Sequence, residues 1–464
     1  MSSDMPQEKG VPPFADWSIN PLIHPGCTVS GHGGRCVDEN GEEWVDWLSA
    51  YGTNLLGYGD REVADAVSTQ VAVGCGQGVE HRLGRGLQRR LCELIPGAEV
   101  IAFGKNGSDV TAGAVRLARA VTGRELVLYH GYHGFHDWYL ASDPGCPGVP
   151  SALNGTIAPL PFDRLDEVER VLREAAGGVA AVILDPVTVP VPERSHLQRL
   201  IEIVRACGSL VIFDEVGTGF RLSPGGAQEY LGVVADLACF SKAIANGLPL
   251  SVLAGPIRLM QHLGETRWGM TFGWEAVSMA AATATLNALT ARRVPERLWR
   301  TGEALQQRYR KAADERGLAT ELAGAAPRSQ IIFADQGGID SVELRWLVIA
   351  ELARQRVLTT GVFLPCAAHD EADIDRTADA FESALDVAAA AVAAGRTDEV
   401  MDQLLLRSIR AARAATAETS PAGPDPGGPH EAPATLVKRR FRHVVRDLLP
   451  YGFVRRYRGH RCDV

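Results

Sequence analysis

"ADLACFSKAIANGLPLSVLAG", residues 235–255, sets the apolar run Leu237-Ala238-Cys239-Phe240 just before a lysine and a second run, Ser251 to Ala254, shortly after it. Two short apolar runs separated by Asn-Gly and a proline read as strands joined by a turn, so Lys242 stands at a strand end. The chain holds only five lysines (Lys9, Lys105, Lys242, Lys311 and Lys438) against forty-two arginines. An amine in an apolar setting can lose its proton and attack a carbonyl, chemistry closed to a guanidinium. A surface lysine ending a strand is the ordinary alternative, and the surrounding sequence has to decide between the two.

Upstream of this stretch, apolar runs alternate with helical patterns. Val100 to Phe103, Leu126 to Tyr129, Val179 to Leu184 and Leu210 to Phe213 read as strands, with helices from Ser108, near 164–176 and near 195–207 between them. That alternation predicts an α/β fold with a large, doubly wound, mostly parallel sheet, whose ligands bind at the carboxyl ends of the strands. Before it, residues 1–59 read as an arm and a small β segment, and Asp60 as the cap of a helix with Val63, Ala64, Val67 and Val71 on one face. The large domain is expected over 60–295, closing with an alanine-rich helix near 275–291. A smaller α+β domain follows over 296–418, then a Pro/Gly linker over 419–435 and a basic amphipathic tail over 436–464.

Three further signals fall at strand ends. In "FGKNGSDVTAGAVRLARAVTG" (103–123) a strand runs through a glycine turn into a helix, which aims backbone N–H groups and a positive dipole end forward; Gly107 and Ser108 suit a phosphate there, although ordinary capping gives the same pattern. In "LVIFDEVGTGFR" (210–221) Asp214 ends an apolar strand, where a carboxylate needs a positive partner or hydrogen-bond donors. A protonated pyridine nitrogen would serve, as would an arginine or a helix cap. "HGYHGFHDWY" (130–139) brings Tyr132, able to stack on a planar ring, with His133 beside it; a core tyrosine is the plain alternative. A phosphate cradle, a stacking aromatic, an aspartate and an amine, all at strand ends, are what pyridoxal 5′-phosphate requires.

Bulk properties narrow the class. The chain of 464 residues is 46% hydrophobic and carries a net charge of −9, with nine Lys/Arg against two Asp/Glu in residues 436–464. The preceding body is therefore acidic, which favours small-molecule substrates, cationic ones included, over nucleic acid. No apolar run has the length of a membrane span and the start lacks a signal-peptide core, so a cytoplasmic location is expected; the basic tail could touch a membrane surface or pack on the body or a dimer mate. Nine scattered cysteines form no C-x-x-C pair, and no carboxylate-rich motif accompanies the histidines at 130–136, so neither a disulfide framework nor a metal site is expected.

"FDEVGTGFR" followed by "ADLACFSKAIANGLPLSVLAG", with "GKNGSDVTAGAVRLARA" and "GYHGFHDWY", resembles the class III pyridoxal-phosphate aminotransferases over residues 15–395, nearest to the glutamate-1-semialdehyde aminomutase-like branch. Within it the chain looks most like the actinobacterial 6′-aminotransferases of aminoglycoside antibiotic pathways. The resemblance implies a fold-type I homodimer with shared active sites, in which Lys242 forms the Schiff base and Asp214 pairs with the pyridine nitrogen. It also implies that Tyr132 and Val216 flank the ring, that Gly107 and Ser108 hold the phosphate, and that Thr271 reaches the neighbouring subunit's phosphate. Ser49, Tyr51 and Glu275 are the expected substrate contacts, with Arg221 a candidate grip for the donor carboxylate. Three positions depart from the pattern: Asp185-Pro186 for the usual Glu-Pro, Ser241 for a glycine, and Trp274 where a small residue is expected, able to reshape the substrate entrance. The implied reaction moves an amino group from an amino acid, glutamate by preference, to a carbonyl on an aminoglycoside or related amino sugar. Aminomutation, epimerisation or elimination on the same cofactor, and a scaffold without turnover, are the competing readings.

Overall fold

The structure is a computed structural model and describes residues 27–76, 78–143, 146–175 and 178–397. The linker and the basic tail expected beyond 418 lie outside the described residues. Fourteen strands follow in chain order: β1 (Thr28–His32), β2 (Arg35–Asp38), β3 (Glu43–Asp46), β4 (Val100–Gly104), β5 (Leu126–His130), β6 (Ile157–Pro159) and β7 (Val179–Leu184). Then come β8 (Leu210–Asp214), β9 (Leu237–Phe240), β10 (Ser251–Gly255), β11 (Thr320–Ala325), β12 (Arg328–Phe333), β13 (Val357–Leu358) and β14 (Val362–Phe363).

The central sheet has seven strands in the order β4-β10-β9-β8-β7-β5-β6. β6, β5, β7, β8 and β9 pair in parallel, whereas β10 runs antiparallel to both β9 and β4. The reversal follows from the short link after Lys242: a few residues suffice to turn back beside β9, whereas a parallel crossover needs a dozen or more. β7 and β9 are buried along their whole length, as expected of strands covered on both faces. The helices Leu165–Glu174 and Arg194–Ala206 cover one side near β7 and β8, and Gly107–Thr122 covers the other. Every parallel strand therefore delivers its carboxyl end to the same edge.

The N-terminal strands join the C-terminal ones. β1, β2, β3 and β13 form a four-stranded sheet in which β3 and β13 pair in parallel, Val45 opposite Val357, and β11, β12 and β14 form a three-stranded sheet. Val45 and Trp47 share one core with residues from Leu305 to Ala388. The helix Val294–Glu315 runs from the large sheet into this unit, and Gly302 lets it lie directly on the chain at Ala326: a Cβ there would come within 2.0 Å of the Ala326 carbonyl oxygen. Because backbone cannot swing aside as a side chain can, Gly302→Ala is expected to destabilise the protein by about 2–3 kcal/mol, measured by denaturant unfolding against a Gly86→Ala control, where nothing lies within 4 Å.

One sequence expectation needs revision. The helix Arg61–Val73 has its Asp60 cap, accepting from the Val63 N–H, and turns Val63, Ala66, Val67 and Gln70 inward, whereas Ala64 and Val71 are exposed. The helix Arg82–Leu94 turns Leu83, Leu87, Leu91 and Leu94, at helical spacing, toward the core. Gly84, Leu87 and Leu91 face inward, and the Trp274 ring lies on Gly84, so an aromatic from elsewhere supplies the apolar cover.

Candidate active site

The carboxyl edge of the parallel sheet gathers residues far apart in sequence. Asp214 ends β8, with Oδ1 accepting from the Val216 N–H at 3.0 Å and Oδ2 lying 2.8 Å from His133 Nδ1. His133 Nε2 faces the His130 carbonyl oxygen at 3.1 Å, an oxygen that only accepts, so this contact is a hydrogen bond in the tautomer that carries its proton on Nε2. Both carboxylate oxygens are thus anchored, which fixes the plane of the group. The histidines of 130–136 serve separate ends: His130 stacks on Phe162 at 4.5 Å, His133 holds Asp214, and His136 precedes the short helix Asp137–Leu140. Among the described residues no group of three or more His, Cys, Asp or Glu is arranged to hold a metal ion.

The helix Gly107–Thr122 begins beside Asp214. Asp109 and Asn106 form its capping box, so the Asp109 carboxylate receives the Lys105 and Asn106 N–H groups and leaves the helix end open in front. A Cβ at Gly107 would come within 2.9 Å of Val216, and one at Gly134 within 2.3 Å of Ser108 Oγ. Bare backbone, the Ser108 hydroxyl and the positive end of a helix dipole together make an anion cradle against Val216. Tyr132 is half-buried nearby and meets Tyr139 edge-on at 5.5 Å.

Lys242 directly follows Ser241 and β9 and has a left-handed backbone, φ 44°. Its ammonium pKa is lowered, first by desolvation and then by Arg328, with Asp214 and Asp185 pulling the other way. Burial beside a guanidinium thus favours the neutral, nucleophilic amine. Arg328, at the start of β12, donates to both oxygens of Asp185 (2.6 and 2.9 Å) and to the Val187 carbonyl. The sequence gives no sign of Arg328, because it reaches this edge only when the C-terminal unit folds against the sheet.

Arg328 also sets an expected pH response. Arg328→Gln removes a cation and leaves Asp185 without its partner, and both changes favour the charged amine. The rate at which the apoprotein takes up pyridoxal phosphate rises with pH as Lys242 loses its proton; the midpoint, below the ordinary lysine value of 10.5, is expected to move upward in the variant. Stopped-flow absorbance between pH 7 and 10 reads that shift.

The proposed substrate residues divide. Tyr51 is exposed on a turn in which Ser49, Ala50, Tyr51 and Gly52 all have positive φ (47°, 50°, 60° and 83°). For the three non-glycine residues this costs about 1–2 kcal/mol each, so other contacts must hold the turn. Asp46 Oδ1 accepts from the Leu48 and Ser49 N–H groups, and Thr53 Oγ1 donates to the Ala50 carbonyl. Ser49 is corrected: it is buried and its hydroxyl donates to the Leu364 carbonyl at 2.7 Å, which keeps it from a substrate. Glu275 is corrected likewise, since it caps the helix Ala276–Ala291 and pairs with Lys105 at 2.9 Å. Arg221 is 1% exposed and its guanidinium is taken up by main-chain carbonyls, so it cannot grip a donor carboxylate. Trp274 lies on Gly84 and edge-on to Phe103 at 5.5 Å, packed against the core. Thr271 is exposed in the segment between Trp268, which lies on Gly113, and Trp274.

A cradle for an anion, an anchored carboxylate and a desolvated amine on one edge of such a sheet define a pyridoxal-phosphate site. The family description "Aminotransferase class-III" matches residues 21–326, and the chain belongs to that family. It is 32% identical over 390 residues to the glutamate-1-semialdehyde 2,1-aminomutase of Thermomicrobium roseum, covering 78% of this chain and 91% of that one. It is also 32% identical over 366 residues to the 3-aminobutyryl-CoA aminotransferase of Cloacimonas acidaminovorans, with 76% and 87% covered. Among solved structures, the FumI protein of Sphingopyxis sp. MTA144, in its PLP internal aldimine form, superposes with a TM-score of 0.75 at 26% identity, covering 81% of this chain and 91% of that one. The protein is thus a pyridoxal-phosphate-dependent aminotransferase of fold type I.

Proposed function

We propose that the protein transfers an amino group from an amino-acid donor, glutamate by preference, to a carbonyl on an aminoglycoside or related amino sugar. The observation that carries amino transfer is the meeting of Lys242, the His133-anchored Asp214 and the Gly107–Ser108 helix end at one sheet edge. The amino-sugar acceptor rests on the sequence resemblance. When bound, pyridoxal phosphate supplies a ring that accepts the electrons left when a proton leaves the carbon beside the amine.

The chain's own residues do the rest. Gly107 and Ser108 would hold the phosphate, and Tyr132 and Val216 would flank the ring. Asp214 keeps the ring nitrogen protonated, with His133 holding the carboxylate in place. Lys242 would hold the cofactor through its aldehyde, and its free amine would carry a proton to and from the substrate carbon. Burial and Arg328, which is held on both oxygens of Asp185, lower the Lys242 pKa and so favour the free amine.

A homodimer would cover several exposed apolar side chains, Phe135 beside Ser108 among them. Val73, Val79, Phe135 and Phe272 are 62–69% exposed, and Thr271 is exposed beside Phe272, which supports its meeting a partner's phosphate. No helix among the described residues is long and apolar enough to cross a membrane. We assign the protein to the cytoplasm on its sequence, together with a division into a large cofactor domain over 60–295 and a small domain built from both chain ends.

Aminomutation is the second reading, favoured by the name of the Thermomicrobium relative. Incubation with oxidised aminoglycosides and a panel of amino donors, followed by mass spectrometry, separates the two. Keto acid formed in step with an aminated sugar is the expected result; rearranged product without keto acid would replace transamination by aminomutation.

A further inference from the structure

Arg221 is among the largest fully buried side chains, and three main-chain carbonyls hold its guanidinium. Nη1 donates to Pro365 O at 2.7 Å and Pro327 O at 3.3 Å, and Nη2 donates to Gly52 O at 3.2 Å. These oxygens belong to separate stretches of chain. Gly52 closes the left-handed turn that carries Tyr51, Pro327 immediately precedes Arg328, and Pro365 follows Leu364, whose carbonyl receives the Ser49 hydroxyl. The turn also packs against the Lys242–Ala245 segment, while Arg328 acts electrostatically on Lys242. Arg221 is itself fixed from the sheet side: Phe220 takes a left-handed φ of 62° and packs on Phe240, two residues before Lys242.

We infer that Arg221 is a positioning residue whose guanidinium ties the Tyr51 turn to the Arg328 strand, setting the width of the substrate entrance beside Lys242. A planar fork with several donors in fixed directions can hold three carbonyls at set separations; a single ammonium on a shorter stem cannot span them together. The strain of the left-handed turn gives the tie its purpose. A turn of alanine, serine and tyrosine in that conformation relaxes unless its end is held, and Gly52 is that end. The inference rests on the proposed function and adds the premise that the amino donor reaches Lys242 between Tyr51 and Arg328.

The test compares the full chain loaded with pyridoxal phosphate with its Arg221→Lys and Arg221→Met variants. Amide hydrogen exchange is expected to quicken about ten-fold at residues 52–54 and 328–331 in Arg221→Met, and less in Arg221→Lys, while β7 and β8 stay protected as in the native protein. In the half-reaction with L-glutamate, followed by loss of the visible cofactor band, the half-saturating concentration is expected to rise about ten-fold and the saturated rate to change by less than about three-fold. Uniformly faster exchange, unchanged exchange at the two segments, or a saturated rate that falls as far as the affinity would each overturn the positioning role. If Arg221→Met does not fold, Arg221→Lys carries the same comparison. Failure of the native protein to react with any amino donor counts against the proposed function alone, since the exchange pattern reads the tie without turnover.

Discussion

Lys242→Ala is expected to lower transamination by about 10^4-fold or more while leaving the protein folded and able to bind pyridoxal phosphate. The side chain has two uses, holding the aldehyde and then moving a proton, and no neighbour can take over either. Arg328 is a guanidinium that stays protonated, and Asp185 is bound to it on both oxygens. The fold should tolerate the change, because Lys242 lies in a turn after β9 and its removal relieves the burial that lowers its pKa. Borohydride reduction followed by peptide mass spectrometry should place the pyridoxyl group on Lys242 in the native protein and nowhere in the variant. Unchanged turnover in the variant would show that a different group does the chemistry.

Asp214→Asn is expected to cost about 10^2–10^3-fold in the half-reaction with an amino donor, with cofactor still bound. An asparagine has one acceptor oxygen where the carboxylate has two. It cannot accept from both Val216 N–H and His133 in the present geometry while also facing a protonated ring nitrogen. The charge is lost together with the orientation, so the ring is a weaker acceptor of electrons. Stopped-flow absorbance separates this from weak cofactor binding: the amplitude persists while the rate falls. His133→Asn should lie between native and Asp214→Asn, because it removes an anchor and leaves the carboxylate. An Asp214→Asn protein with native rates would mean that the carboxylate serves the fold and not the cofactor.

Much of this edge was legible beforehand because it is built from local signals. Strands buried on both faces are continuous apolar runs, and β7 and β9 begin and end where those runs do. A functional residue at the end of such a run is marked by its contrast with what precedes it, and this is why Asp214, Lys242, Gly107 and Ser108 stand out. The substrate side depends on contacts that local sequence does not mark. Ser49, Glu275 and Arg221 have the chemistry of substrate contacts, yet each is committed to a carbonyl, a helix end or an ion pair that sequence does not display.

By itself the sequence determined the parallel sheet, the order of its strands in the chain and the group of residues at their carboxyl ends, because period, turn residues and strand-end polar groups act over a few neighbours. Only the tertiary structure decided that Arg328 sits at the lysine, that Arg221 is locked inside, and that β3 pairs with β13. Those outcomes depend on contacts between segments separated by long stretches of chain. They are fixed by which buried donors and acceptors find each other once the cores have formed, not by the local pattern around any one residue.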